Sequence, residues 1–288
     1  MNAVTAPSGP DNVLRVLSEL EGLPDDATGA LAFGPETKLS GVVLVEKGRV
    51  CWAAAEGLQR RLTSLLRESC TPPLGVDEAE ALFIECRQRG RPMGEVLVER
   101  GRISSEALRA ALLHHTAESL ASGSSWTTTP RWVPHRARGY QSAFTFLPVE
   151  LLSYASTVAR PELVSNACEQ LRSLAGDRNS AVFDAPGATL LACQLPDDSH
   201  TSLRALSSAG AWAALSLADS NGRSSSLKFT RERNGGVWVG WCDSGLNFLV
   251  RCVDRDDFSV LMRALHRHGW TSAVQSSVPL VEHRVIPT

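Results

Sequence analysis

Seven histidines and seven cysteines are the side chains of this sequence best suited to holding a metal or attacking a substrate. His114 and His115 are adjacent, so on a helix they point about 100° apart and do not share one ion. His266 and His268 are two apart and diverge likewise. Both pairs read as ordinary surface or core histidines, and no metal is expected. The cysteines (Cys51, Cys70, Cys86, Cys168, Cys193, Cys242 and Cys252) are irregularly spaced, with no CxxC pair. Several lie inside apolar runs, which fits reduced core thiols better than a disulfide framework. Cys242 and Cys252 are placed to face each other across the last hairpin.

Nucleotide and catalytic signatures are absent from the chain. There is no GxxxxGK[ST] to cradle phosphates on backbone amides, no GxGxxG, no HExxH and no GxSxG nucleophile elbow. A non-catalytic protein with no cofactor is expected. Arg131, His135, Arg136 and Arg138 form the densest basic cluster, with Trp126 and Trp132 nearby. Arginines interleaved with aromatics can hold single-stranded nucleic acid by stacking and phosphate contact. With a net charge of −2 the chain has no general pull toward polyanions. Arg131, Arg136 and Arg138 are therefore read as contacts for an acidic protein partner or a phosphate.

The elements that must position these residues divide into two halves. A length of 288 residues favours two modules, and the composition is ordinary for globular proteins, with 43% hydrophobic and 21% charged residues. The N-terminus has no basic region followed by an apolar run, and no stretch approaches the ~20 apolar residues of a membrane helix. A cytoplasmic protein is expected.

Residues 1–10 read as a loose tail. Asp11 stands where an N-cap belongs, before Val13, Val16, Leu17 and Leu20 at helical spacing. Glu46-Lys47-Gly48-Arg49 separates Val42–Val45 from Val50–Ala53, a hairpin signal with Gly48 supplying positive φ. Helical faces follow at Leu58, Leu62 and Leu65, at Ala79, Leu82, Phe83 and Cys86, and at Leu108, Ala111, Leu112 and His115, the last capped by Ser104 or Ser105. Ser122 to Arg138 reads as irregular. The boundary is placed between 157 and 160. Beyond it the pattern is helix, two strands, helix, three strands, helix, with turns at Asn234-Gly235 and Asp243-Ser244-Gly245. Residues 271–288 form a tail.

That order, with the loop Asp184-Ala185-Pro186-Gly187, resembles the roadblock (dynein light-chain) family over about residues 160–270. The resemblance implies a five-stranded antiparallel sheet with helices on both faces. It also implies a module that pairs with itself or a related subunit and, in bacteria, regulates Ras-like GTPases. Residues 11–157, a mixed α/β module, are similar to the bacterial PATAN family through Gly41-Val42-Val43-Leu44, Lys47-Gly48-Arg49-Val50 and Trp52-Ala53. Within them, Gly94-Glu95-Val96-Leu97 through Ser104 is similar to one repeat of a cyclic-dinucleotide-binding module. The alternative this implies is a ligand-sensing adaptor.

The segment Ser202 to Leu217 carries the functional expectation. Leu203, Leu206, Gly210, Ala213 and Leu217 form one stripe suited to the sheet. The other face carries Ala205, Ser208, Ala209, Trp212 and Ser216, with no charge after Arg204 until Asp219. Small residues around one indole suit burial against another polypeptide. An adaptor or regulator of small-GTPase signalling is expected, pairing through this face.

Overall fold

A computed structural model describes residues 9–56, 58, 62–123, 126, 129–158, 162–185, 188–196, 202–217, 226–232 and 235–276. The α+β chain divides into two units, residues 23–154 with 1–8, and residues 9–22 with 155–288.

In the first unit the strands β1 (Gly29–Phe33), β2 (Gly41–Glu46), β3 (Arg49–Ala55) and β4 (Arg131–Pro134) form an antiparallel sheet in the order β3-β2-β1-β4. The β2–β3 hairpin turns on Lys47 and Gly48, both at positive φ (53° and 70°), as a two-residue primed turn requires. A side chain on Gly48 would also strike the Asp25 carbonyl, 2.4 Å from its Cβ position. The strand β4 falls in the stretch expected to be irregular. Its residues are mostly exposed and do not alternate, so no period-2 signal marks it.

Four helices follow from the apolar spacing: α2 (Leu62–Ser69), α3 (Val76–Arg89), α4 (Met93–Glu99) and α5 (Ser105–Ser122). Gly90 ends α3 in the left-handed conformation, and the Ser104 side chain caps α5 by accepting from the Ala107 amide. Leu66, Leu82, Leu97, Ile103, Leu108 and Phe144 join these helices in one core. Gly94 lets α4 approach α5, since a Cβ there would lie 2.6 Å from Leu108 Cδ1. A sixth helix, α6 (Pro148–Val158), contains the boundary at residues 154 and 155, slightly earlier than the sequence suggested.

The second unit contains β5 (Ser180–Asp184), β6 (Leu190–Gln194), β7 (Ser226–Arg231), β8 (Val237–Asp243), β9 (Leu246–Cys252) and β10 (Thr271–Ser276). The order is β10-β7-β8-β9-β5-β6. Five strands are antiparallel as expected, and β10 adds a parallel edge where a tail was expected. Residues 277–288 and the loop residues Pro186 and Gly187 lie outside the described residues. Helices α7 (Glu162–Ala175) and α9 (Arg255–Arg267) share a core with Val182, Val239, Trp241, Phe248 and Val250. Alternating residues, Phe183, Gly240 and Leu249 among them, face the opposite way, toward α8 (Leu203–Leu217). Trp238 and Trp241 thus lie on opposite faces, and both are fully buried.

The helix at the N-terminus belongs to this second unit. The helix α1 (Pro10–Ser18) packs on α8 and β6 through a strongly one-sided apolar face that includes Val13, Val16 and Leu17. Gly9, not Asp11, is its N-cap, with Pro10 in the first turn. Asp11 instead accepts from the Leu190 amide at 2.9 Å, tying α1 to the edge strand β6, and burial raises its carboxyl above the usual range. Residues 1–8 of the expected tail lie outside the described residues.

Candidate functional site

The helix α8 is built to lie close against its sheet. Gly210 admits the Phe183 ring, which would sit 2.4 Å from a Cβ at that position. Glu21 caps the N-terminus of α8, accepting from the Leu203 amide, from the Arg204 amide at 3.0 Å and from Ser202 Oγ at 2.7 Å. A carboxylate at that end satisfies orphan N–H groups and complements the helix dipole.

The face expected to point outward does not do so. Ala209 is buried, and Ala205, Ser208, Trp212 and Ser216 are half-buried. The Trp212 indole lies against Gly240 of β8, whose added Cβ would be 3.0 Å from Trp212 Cζ3. The residues that do point out are Arg204, Ser207, Ala211 and Leu215, and Leu215 is 81% exposed. The stripe Leu203, Leu206, Gly210, Ala213 and Leu217 is buried as expected, but the outer face is rotated: the glycine in β8 draws the indole inward, and α1 packs alongside.

This outer row is unlike those of the neighbouring helices. On α7 the exposed residues include Ser165, Asn166, Glu169 and Arg172, and on α9 they include Arg255, Asp256, Arg263 and Arg267. Those are solvated faces. Beyond Arg204, the exposed residues of α8 offer water only a hydroxyl, a methyl and an isobutyl group.

The first unit holds a cavity of about 970 Å³ bounded by β3 and by helices α2 to α5. Leu62, Leu66, Ala79, Phe83, Met93 and Leu112 supply much of its wall, with His115, Arg67, Glu80, Glu95, Tyr140 and Cys51 as its ionisable groups. His115 is 6% exposed, and burial pushes its imidazole below the ordinary value, keeping it neutral at pH 7. Neither His115 Nδ1 nor Glu95 Oε1 has a hydrogen-bond partner among the described residues.

No family model and no curated protein matches this chain. Function has then to be read from its own side chains.

The stretch similar to a cyclic-dinucleotide repeat contributes Gly94 and Glu95 to the cavity wall. Its arginines are committed elsewhere, Arg100 to Glu85 and Arg102 to Glu78, as is Arg91 just before it, to Glu99. Phosphates would have to displace those carboxylates.

The basic cluster sits on β4 and the loop after it. Arg131 pairs with Glu36, and both are well exposed. Arg136 and Arg138 are exposed, while the Arg138 and Gly139 amides donate to the buried Glu46 carboxylate at 3.0 Å each. The aromatics needed for base stacking are occupied. Trp126 is fully buried, stacked on Phe33 at 4.4 Å, and donates from Nε1 to the Ser40 carbonyl. Trp132 lies against Gly29. What remains outward is a short row of arginines without a stacking platform.

His114 and His115 do diverge: His114 meets Tyr154 at 3.2 Å while His115 turns to the cavity. Glu118, one helical turn from His114 and 3.9 Å away, is a carboxylate at helical offset that the sequence reading overlooked. Among the described residues no cluster of three or more potential metal ligands occurs, and no helix is long and apolar enough to cross a membrane.

Cys252 stands opposite Val237, and Cys242 opposite Asn247, so the two cysteines do not face each other across the hairpin. None of the seven cysteines is in a disulfide. Burial pushes Cys51, Cys193 and Cys252 up to about 12, away from the thiolate that nucleophilic chemistry needs. Alkylation by iodoacetamide at pH 8 should be slower at these three in the folded protein than in urea by roughly a thousandfold. Peptide mapping by mass spectrometry reads the rates, and rapid native labelling of any of the three would contradict that protection.

Proposed function

We propose that this chain is a non-catalytic adaptor whose second unit binds protein partners through the outer row of α8. The observation that carries this reading is the contrast between that row and those of α7 and α9. Ser207, Ala211 and Leu215 carry no charge, and Leu215 is 81% exposed. A leucine flanked by small residues allows a facing helix to come close and to bury the isobutyl group. A second copy of the chain, or a related subunit, is the proposed occupant of the row. The five antiparallel strands with helices on both faces are consistent with the roadblock resemblance. That resemblance extends the proposal to engagement of a Ras-like GTPase or its regulators in a bacterial signalling or polarity system, an inference by analogy of fold. Any effect on GTP hydrolysis would come from ordering the partner's switch loops.

Light scattering after size exclusion tests the pairing. The wild-type chain should run as a dimer, and Leu215→Asp as a monomer with an unchanged circular dichroism spectrum. A monomeric wild type over the micromolar range would remove self-pairing. Co-purification from the native cell, with Leu215→Asp as the comparison, then tests whether a GTPase depends on the same row.

A further inference from the structure

The cavity of the first unit has features that protein docking through α8 does not use. Its volume of about 970 Å³ lies in the range of small-molecule sites. Its wall is mostly aliphatic and aromatic, and two apolar residues that line it, Val76 and Phe83, are 63% and 46% exposed. Besides the charged Arg67, Glu80 and Glu95, its polar groups include Thr63, Ser64 and Tyr140. His115 is buried, which lowers its imidazole from the ordinary value, and its Nδ1 has no hydrogen-bond partner among the described residues; Glu95 Oε1 has none there either. Arg67 opposes Glu80 and Glu95 in sign, so the wall has no strong preference for either charge.

From this we infer that the cavity binds an uncharged, largely apolar small molecule carrying one hydrogen-bonding head group, such as a medium-chain alcohol. Carrying an ion into an apolar cavity without a dedicated counter-ion costs more than the mixed wall returns. A neutral head avoids that cost, and it supplies the bond that His115 or Glu95 lacks. The chain packs against the leucine, methionine and phenylalanine side chains. A cyclic dinucleotide, with two phosphate charges and polar bases, fits this wall poorly. The inference is independent of the pairing of α8.

Nile red, a neutral dye whose emission shifts in apolar surroundings, reports occupancy in the full-length chain. One dye should bind per chain. Decanol should displace it at a concentration at least tenfold below that needed with decanoate, decylammonium or a cyclic dinucleotide. Ala79→Phe and Leu112→Phe, which fill the cavity from two helices, should each weaken dye binding at least tenfold. Val253→Ser, an exposed apolar residue of the second unit, should leave it unchanged. His115→Leu should retain the dye but need several times more decanol to displace it. Circular dichroism checks that the variants fold, and the comparison of competitors on the wild type needs no variant. The proposal is overturned if no dye binds, if either ion or the dinucleotide competes as well as the alcohol, or if both folded filling variants bind dye normally.

Discussion

Glu232→Ala should lower the stability of the second unit by about 3–5 kcal/mol, the range for stripping one partner from a buried ion pair. Glu232 and Arg251 are 9% and 6% exposed. Arg251 donates to Glu232 Oε2 from Nε at 3.0 Å and from Nη2 at 2.8 Å, and Trp238 Nε1 donates to the other oxygen at 2.6 Å. The carboxylate therefore satisfies three donors on β8 and β9. Removing it strands a guanidinium and an indole N–H together, each without water to replace the lost acceptor. Urea unfolding followed by circular dichroism gives the loss. The paired replacement Glu232→Leu with Arg251→Met should cost far less than the single change, because no uncompensated charge remains. Equal losses in the two proteins would show that packing at this corner, not charge pairing, supports it. The site has no room for a larger neighbour: a Cβ on Gly236 would lie 2.7 Å from Glu232 Oε2.

Legibility in the sequence follows how local each cause is. The β2–β3 hairpin was readable because Lys47 and Gly48 state the turn within two residues. The order from α7 to α9 was readable because each of the strands β5 to β9 has its own apolar run and its own turn, whereas β10 was read as tail. Trp238 and Trp241 could be placed on opposite faces from strand pleating alone. The helix α1 was readable as a helix but not as a member of the second unit. Val13, Val16 and Leu17 require burial, and nothing in them says against which sheet. Cys242 and Cys252 were misplaced because a pairing guess depends on where the turn begins, and register puts Asn247 and Val237 opposite them. The cavity was invisible for a similar reason. It is a gap between β3 and four helices, and its residues look like core in any window of the chain. His115 was visible as half of an adjacent pair and as one residue of a buried helix face.

The orientation of α8 shows most sharply what a helical wheel omits. A wheel ranks faces by polarity, and on this helix the leucine stripe and the face with Trp212 are both uncharged. The choice between them is made by Gly240, 28 residues further on, which leaves a flat patch of β8 for the indole. Trp212→Asp should accordingly destabilise the second unit by at least about 3 kcal/mol, the scale of deleting a packed tryptophan, with the burial of a carboxylate added. Thermal and urea unfolding measure it. Leu215→Asp, three residues along the same helix, should stay within about 0.5 kcal/mol of wild type when both are compared as monomers. The two aspartates thus separate folding from pairing. Trp212→Phe sharpens the test, because Trp212 Nε1 is buried without a hydrogen-bond partner among the described residues. Phenylalanine keeps a ring over Gly240 and removes the unsatisfied donor, so its cost should be under about 1.5 kcal/mol, as for a conservative core change. If Trp212→Asp instead left stability intact and only dissolved a dimer, the indole would lie between chains. The outer row of Ser207, Ala211 and Leu215 would then lose its claim to be the contact.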